Sequence, residues 1–304
     1  MNGVVEAVIV NHNTSCLAEI AVRSLRWAIG NAGVSELLNV TIVDNHSTDY
    51  TADLRRAAEE LAVAWELSRW PAGQQSLTTH GDVLRDFVLA RPEAAGYLFV
   101  ESDMCLHEPD AIAVMLNDLS SQSDLWAVQA RMLTKPADDR QLFTELVKRK
   151  RRPLDLHAQL TLETDEGDVQ QVELVHRGRR IPRCHPGCTL IRNSDAFQLA
   201  ALHLGFASAW TWSNDALLGG LSDTLGLVSL AMRTHRRRSI VSAARVIHFW
   251  HGTRLQLSHH HRMLLTLLRR GAFDEFAAAA ATELRSTALP VKGAEHLHDR
   301  GGNI

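Results

Sequence analysis

"GYLFVESDMCLHEPDAI" (96–112) decides how the chain is read. An apolar run, Tyr97 to Val100, stops abruptly at Glu101-Ser102-Asp103. An unbroken apolar run bounded by polar residues marks a strand buried on both faces of a parallel sheet. Two carboxylates at the end of such a strand are costly to desolvate unless something pairs with them. The pattern then turns helical over "EPDAIAVMLNDL" (108–119), with Pro109 expected in the first turn.

The same plan repeats upstream. "VEAVIVNHN" (5–13) and "NVTIVDNHSTDYT" (39–51) are apolar runs that end in polar loops. Helical spacing follows each, over 15–29 with Ser15 as the expected N-cap, and over 51–65. A short strand is expected near 64–70, a helix over 80–91 and a strand over 125–133. Strands alternating with helices predict an α/β fold, a single doubly wound, mainly parallel sheet flanked by helices. Ligands bind such sheets at the carboxyl ends of the strands. The polar clusters 11–13, 44–49 and 101–103 all fall there.

The second half is less regular. "AQLTLETDEGDVQQVELVHRG" (158–178) reads as a β hairpin turning at "DEGD". "CTLIRNSDAFQLAALHLG" (188–205) reads as a strand and a helix stopped by Gly205. Residues 255–286 are expected to be helical, and 289–304 to form a flexible tail.

Composition narrows the class. The 304 residues are 45% hydrophobic and 22% charged, as in a soluble globular protein. No apolar run reaches the roughly 18 residues of a membrane helix, and the N-terminus lacks a signal pattern. A cytoplasmic location is expected, with membrane-peripheral attachment as the alternative. Cys16, Cys105, Cys184 and Cys188 do not form a disulfide framework. "CHPGC" (184–188) could be half of a zinc site, but no second pair follows, and a tight turn is the better reading. The net charge of -3 hides an asymmetry: 10 Lys/Arg against 21 Asp/Glu in 1–147, and 22 against 14 in 148–304.

Six segments, in order from about residue 4 to 254, resemble the inverting family-2 glycosyltransferases of the GT-A fold. "VEAVIVNHN" is similar to their first strand and nucleotide loop, and "VTIVDNHSTDYT" to their Asp-x-x-Ser-Thr-Asp-x-Thr segment. "YLFVESDMCLHEPDAI" stands where the family places an Asp-x-Asp metal motif. "HPGCTLIRNSDAF", "WTWSNDALLGGL" and "VIHFWHGTR" resemble the acceptor segment, the catalytic-base segment and the closing His element.

The resemblance implies a nucleotide-sugar donor, most often a UDP-sugar, a divalent cation (Mn²⁺ or Mg²⁺) and direct displacement at the anomeric carbon. It places Asn11, Asn13 and Asp44 around the nucleotide, and Glu101 by the ribose or a metal-bound water. It makes Asp103 a metal ligand, with His248 or His251 beside it, and Asp215 the general base, with Asp223 next in line. Trp212, Asn214 and Trp250 would meet the acceptor. By the same resemblance 1–254 is the glycosyltransferase domain, divided into a donor half (1–133) and an acceptor half (134–254), and 255–288 is a helical extension. Departures are Glu101 in place of the usual Asp, a single carboxylate in Asn214-Asp215, and His80-Gly81 where Asn-Gly is common.

The basic runs at 148–152, 177–183 and 233–238 lie in the acceptor half. They raise a polyanionic acceptor, either a hydroxymethylated nucleic-acid base or a phospholipid-linked glycan at a membrane. Two other classes stay open: a nucleotidyltransferase on a related sheet, and a catalytically silent nucleic-acid-binding protein with the same shell. The first would need a Gly-rich, basic phosphate loop, which "NHNTSCLAE" (11–19) does not supply.

Overall fold

A computed structural model describes residues 3–70, 77–133, 154–163, 169–178, 184, 186–206, 225–249 and 258–286. Among them, eight strands form one sheet: β1 (Val5–Asn11), β2 (Leu38–Asp44), β3 (Ala64–Leu67), β4 (Gly96–Glu101), β5 (Met104–Cys105), β6 (Leu125–Leu133), β9 (Cys188–Arg192) and β10 (Arg238–His248). Their order is β3-β2-β1-β4-β9-β6-β10-β5. The hairpin is present as β7 (Leu154–Glu163) and β8 (Val169–Gly178), paired antiparallel.

The sheet is mainly parallel. β3, β2, β1 and β4 run together, as do β6 and β10. β9 runs against both β4 and β6, and so splices the two parallel groups. Strands from both halves of the chain therefore share one sheet. Arg192, at the end of β9, donates to the backbone carbonyls of Leu119, Gln122 and Leu125.

The period of two along a strand explains the unbroken apolar runs. Val5, Ala7 and Ile9 face one core with α1 (Ser15–Asn31), α2 (Ala52–Glu60) and α4 (Ala111–Ser121). Val8 and Val10 face a second core with α3 (Leu77–Leu89), α5 (Asp195–Leu204) and α6 (Gly226–Thr234). Each core excludes water from one face, so both faces are mostly apolar until the strands end, with small hydroxyl residues such as Thr41 and Thr189 as exceptions.

The C-terminal helical expectation resolves into α7 (His259–Arg269) and α8 (Phe273–Ser286). Ser258 caps α7 in a capping box closed by His261. A third core forms where Leu264, Leu265, Leu268 and Phe276 meet Leu17 and Ile20 of α1, Cys105, Ile247 and Phe249. Beside it Glu19 is almost fully buried, at 1% exposure. Arg23 and Arg269 each donate to it at 2.8 Å. A carboxylate buried there is tolerable because both guanidinium groups satisfy it.

Local expectations shift at three element ends. Thr14 holds the N-cap position of α1, and Ser15 is its first residue. The Asp49 carboxylate supplies the cap instead, accepting the Ser15 backbone N–H at 2.9 Å and its hydroxyl at 2.8 Å. α2 stops at Glu60, short of 65, because Ala62 turns through φ 50° before β3 starts. Pro109 precedes α4, whose N-cap position is Asp110. Gly205 does end α5, with φ 64°.

Candidate active site

Three parallel strands finish at one end of the sheet. Asn11 of β1 is in register with Asp44 of β2, and Val10 with Glu101 of β4. Asn11 is fully buried and Asp44 nearly so, at 5% exposure. The Asn11 amide nitrogen donates to Asp44 Oδ1 at 3.0 Å and to Ser47 Oγ at 2.9 Å. Asn13 has φ 55°, and its Oδ1 accepts from the backbone N–H groups of Thr48 at 2.7 Å and Asp49 at 3.2 Å. The loops after β1 and β2 are thereby stitched into one surface.

The acidic pair faces the same end. β5 pairs antiparallel with the close of β10, His248 opposite Met104. The Phe249 backbone N–H donates to the Asp103 carbonyl at 2.9 Å. This short ladder brings His248 Nε2 to 3.3 Å from Asp103 Oδ2 and 3.8 Å from Glu101 Oε2. The carboxylates therefore have a protein partner in His248. Phe249 is locked in the third core, where its ring meets the His261 ring edge-on at 4.5 Å.

Burial and the Asp103 carboxylate push Glu101 from 4.5 up to about 7, and His248 and His80 partly oppose them. The ligand atoms of Glu101, Asp103 and His248 all lie within 4.8 Å of one another. Neighbouring ligands on a six-coordinate ion bound at roughly 2.1 Å sit about 3 Å apart. Two carboxylates and an imidazole suit Mn²⁺ or Mg²⁺, the imidazole favouring the former. The residues present thus fit a divalent cation.

The other sequence-predicted positions divide. Asn11, Asn13, Asp44, Glu101, Asp103 and His248 gather at the carboxyl end of the strands. Trp212, Asn214, Asp215, Asp223, Trp250 and His251 lie outside the described residues, as do the basic run 148–152 and residues 179–183 of the second run.

The run 233–238 is a correction. Arg238 opens β10, in register with Leu125 at the start of β6. An 11-residue strand separates it from His248, on the order of 30 Å. Arg238 binds Asp124, and Arg237 donates to the Ser123 carbonyl at 2.7 Å. This run belongs to the opposite end of the sheet and does not flank the acidic pair.

The zinc reading of "CHPGC" fails for the two cysteines. Cys188 packs in the first core and Cys184 in the second. Burial and Glu101 push the Cys188 thiol up to about 12, the reverse of what a thiolate ligand needs. One residue was passed over in the sequence. His80 of α3 acts electrostatically on Glu101, and Val83 and Leu84, one turn later, pack beside Val10 and Val43. Its only signal was its place in His80-Gly81.

No family model matches the sequence, and no curated protein sequence matches it. The chain is similar in structure to the mannosyltransferase PcManGT from Pyrobaculum calidifontis, in complex with GDP-Man and Mn²⁺. Identity is 15% over 93% of this chain and 72% of that one, with a TM-score of 0.49. It is also similar to S. aureus TarS 1-349, at 14% identity over 95% and 75%, TM-score 0.49. A third similar structure is glucosyl-3-phosphoglycerate synthase from Mycobacterium tuberculosis, at 13% identity over 96% and 82%, TM-score 0.43.

Proposed function

We propose that the chain is a metal-dependent, inverting glycosyltransferase using a nucleotide-diphosphate sugar, a UDP-sugar first among candidates. The observation that carries the reading is the convergence of Glu101, Asp103 and His248 within 4.8 Å at the end of β4, in the sheet that also presents Asn11 and Asp44. Asp103 and His248 would hold the cation, with Glu101 beside them. A divalent cation there would offset the charge that develops on a diphosphate leaving group.

The chain's own groups take the remaining roles. Asn11 donates to Asp44 Oδ1 and leaves the carboxylate further acceptor sites for the nucleobase. Residues 1–133 would bind the donor, and 134–254 the acceptor. Asp215 would take the acceptor proton during attack, since inversion needs one base and no protein nucleophile. Trp212, Asn214 and Trp250 would line the acceptor. A polyanionic acceptor now rests on the runs at 148–152 and 177–183 alone.

The test is a thermal-shift series with UDP- and GDP-sugars, with and without Mn²⁺. A ligand at 100 times its Kd raises stability by about 2.7 kcal/mol. Metal-dependent stabilisation by a nucleotide sugar, with release of nucleoside diphosphate on adding acceptor, is the expected result. No stabilisation by any donor refutes the reading. Binding without any release of nucleoside diphosphate favours the silent shell.

A further inference from the structure

A hydrogen-bonded strut, whose direction can be worked out, runs from the turn after β4 through the loop after β1 to the end of β2. Asn11 must turn its amide nitrogen towards the Asp44 carboxylate, 3.0 Å away, because a carboxylate only accepts. Its Oδ1 then faces Thr14, whose Oγ1 lies 3.0 Å away. The Thr14 hydroxyl has one proton and gives it to that carbonyl. The Ser102 hydroxyl, 2.8 Å from Thr14 Oγ1, therefore donates to Thr14. The chain of donors runs one way: Ser102 to Thr14, Thr14 to Asn11, Asn11 to Asp44.

Asn11, Thr14 and Asp44 are buried, at 0%, 6% and 5% exposure, so water does not substitute freely for a lost member. The two ends are functional positions. Ser102 sits between Glu101 and Asp103, and Asp44 opens the nucleotide loop. We infer that Thr14 is a positioning residue that couples the metal-binding turn at 101–103 to the nucleotide loop at 44–49, so that cation and nucleobase bind cooperatively through the protein. This rests on the function proposed above.

A nucleoside lacks the diphosphate that would bridge donor and cation, so the coupling it shows travels through the chain or through the ribose, and the Thr14 and Ser102 variants separate the two. The experiment measures uridine and guanosine affinity by titration calorimetry, with and without saturating Mg²⁺. Wild type is expected to bind one nucleoside about fivefold more tightly with Mg²⁺, the lower end of allosteric couplings. Thr14→Val should bring that ratio close to one, and Thr14→Ser should restore it. Ser102→Ala cuts the same link from the less buried side and serves if Thr14→Val fails to fold. Wild-type binding of both probes without coupling, or coupling that survives in Thr14→Val and Ser102→Ala, overturns the strut and leaves the proposed function standing. Failure of both Mg²⁺ and nucleosides to bind removes the two together.

Discussion

Glu101→Gln tests the electrostatics of the site without disturbing its shape. In the metal-free protein Glu101 is raised from 4.5 to about 7. Below pH 4.5 both folded and unfolded chains hold the proton. Between 4.5 and 7 only the folded chain does, so stability falls as pH rises through that window and levels off above it. The gap corresponds to at most on the order of 3 kcal/mol, which the 23% exposure of the side chain lowers. Glutamine carries no charge to desolvate. The metal-free variant should match wild type near pH 4.5 and exceed it at pH 8, by up to about 5 °C in Tm. Mn²⁺ should reverse the order at pH 8, because it stabilises the carboxylate it binds. Its effect on wild type should shrink as pH drops below 7 and the proton competes. The assay is thermal unfolding of both proteins from pH 4.5 to 8, with chelator and with Mn²⁺. A Tm difference that stays constant over this range, or a variant less stable than metal-free wild type at pH 8, refutes the argument.

Three further outcomes are expected. Asp103→Ala should lose metal-dependent donor binding and turnover while still folding, read by calorimetry and nucleotide release; full turnover would move the metal site elsewhere. Asp215→Asn should bind donor normally and lose most turnover, on the order of 100-fold or more for a general base; preserved turnover would pass the role to Asp223. Phe276→Ala removes a fully buried ring that meets Trp27 edge-on at 5.7 Å. It should cost about 3 kcal/mol in denaturant unfolding and, because Phe249 shares that core, weaken Mn²⁺ binding as well. Unchanged stability would mean that α7 and α8 are not anchored there.

Much of the architecture was readable because it depends on local pattern. Apolar runs facing two cores made β1, β2, β4 and β6 recognisable, and Gly205 ended its helix where expected. Element starts were less legible, since the cap of α1 comes from Asp49 on another loop and no local residue announces it. Asn13 is expected at the nucleotide and Asp49 only among the polar loop residues, and in the structure both also hold one loop to the next. That depends on which strands are neighbours. The charge run at 233–238 misled for the same reason, because a run of arginines carries no mark of which end of a strand it sits at.

What the linear order determined by itself was the strand and helix alternation, and with it the polar residues 11–13, 44–49 and 101–103 at the strands' carboxyl ends. Periodicity and burial suffice for that. Only the tertiary structure decided that β9 enters between β4 and β6, and that β10 ends beside β5. The second pairing puts His248 at 3.3 Å from Asp103. Pairing between strands remote in sequence is chosen by the packing of the whole sheet, so the sequence could name His248 and His251 as alternatives beside Asp103 but could not give the distance at which His248 stands.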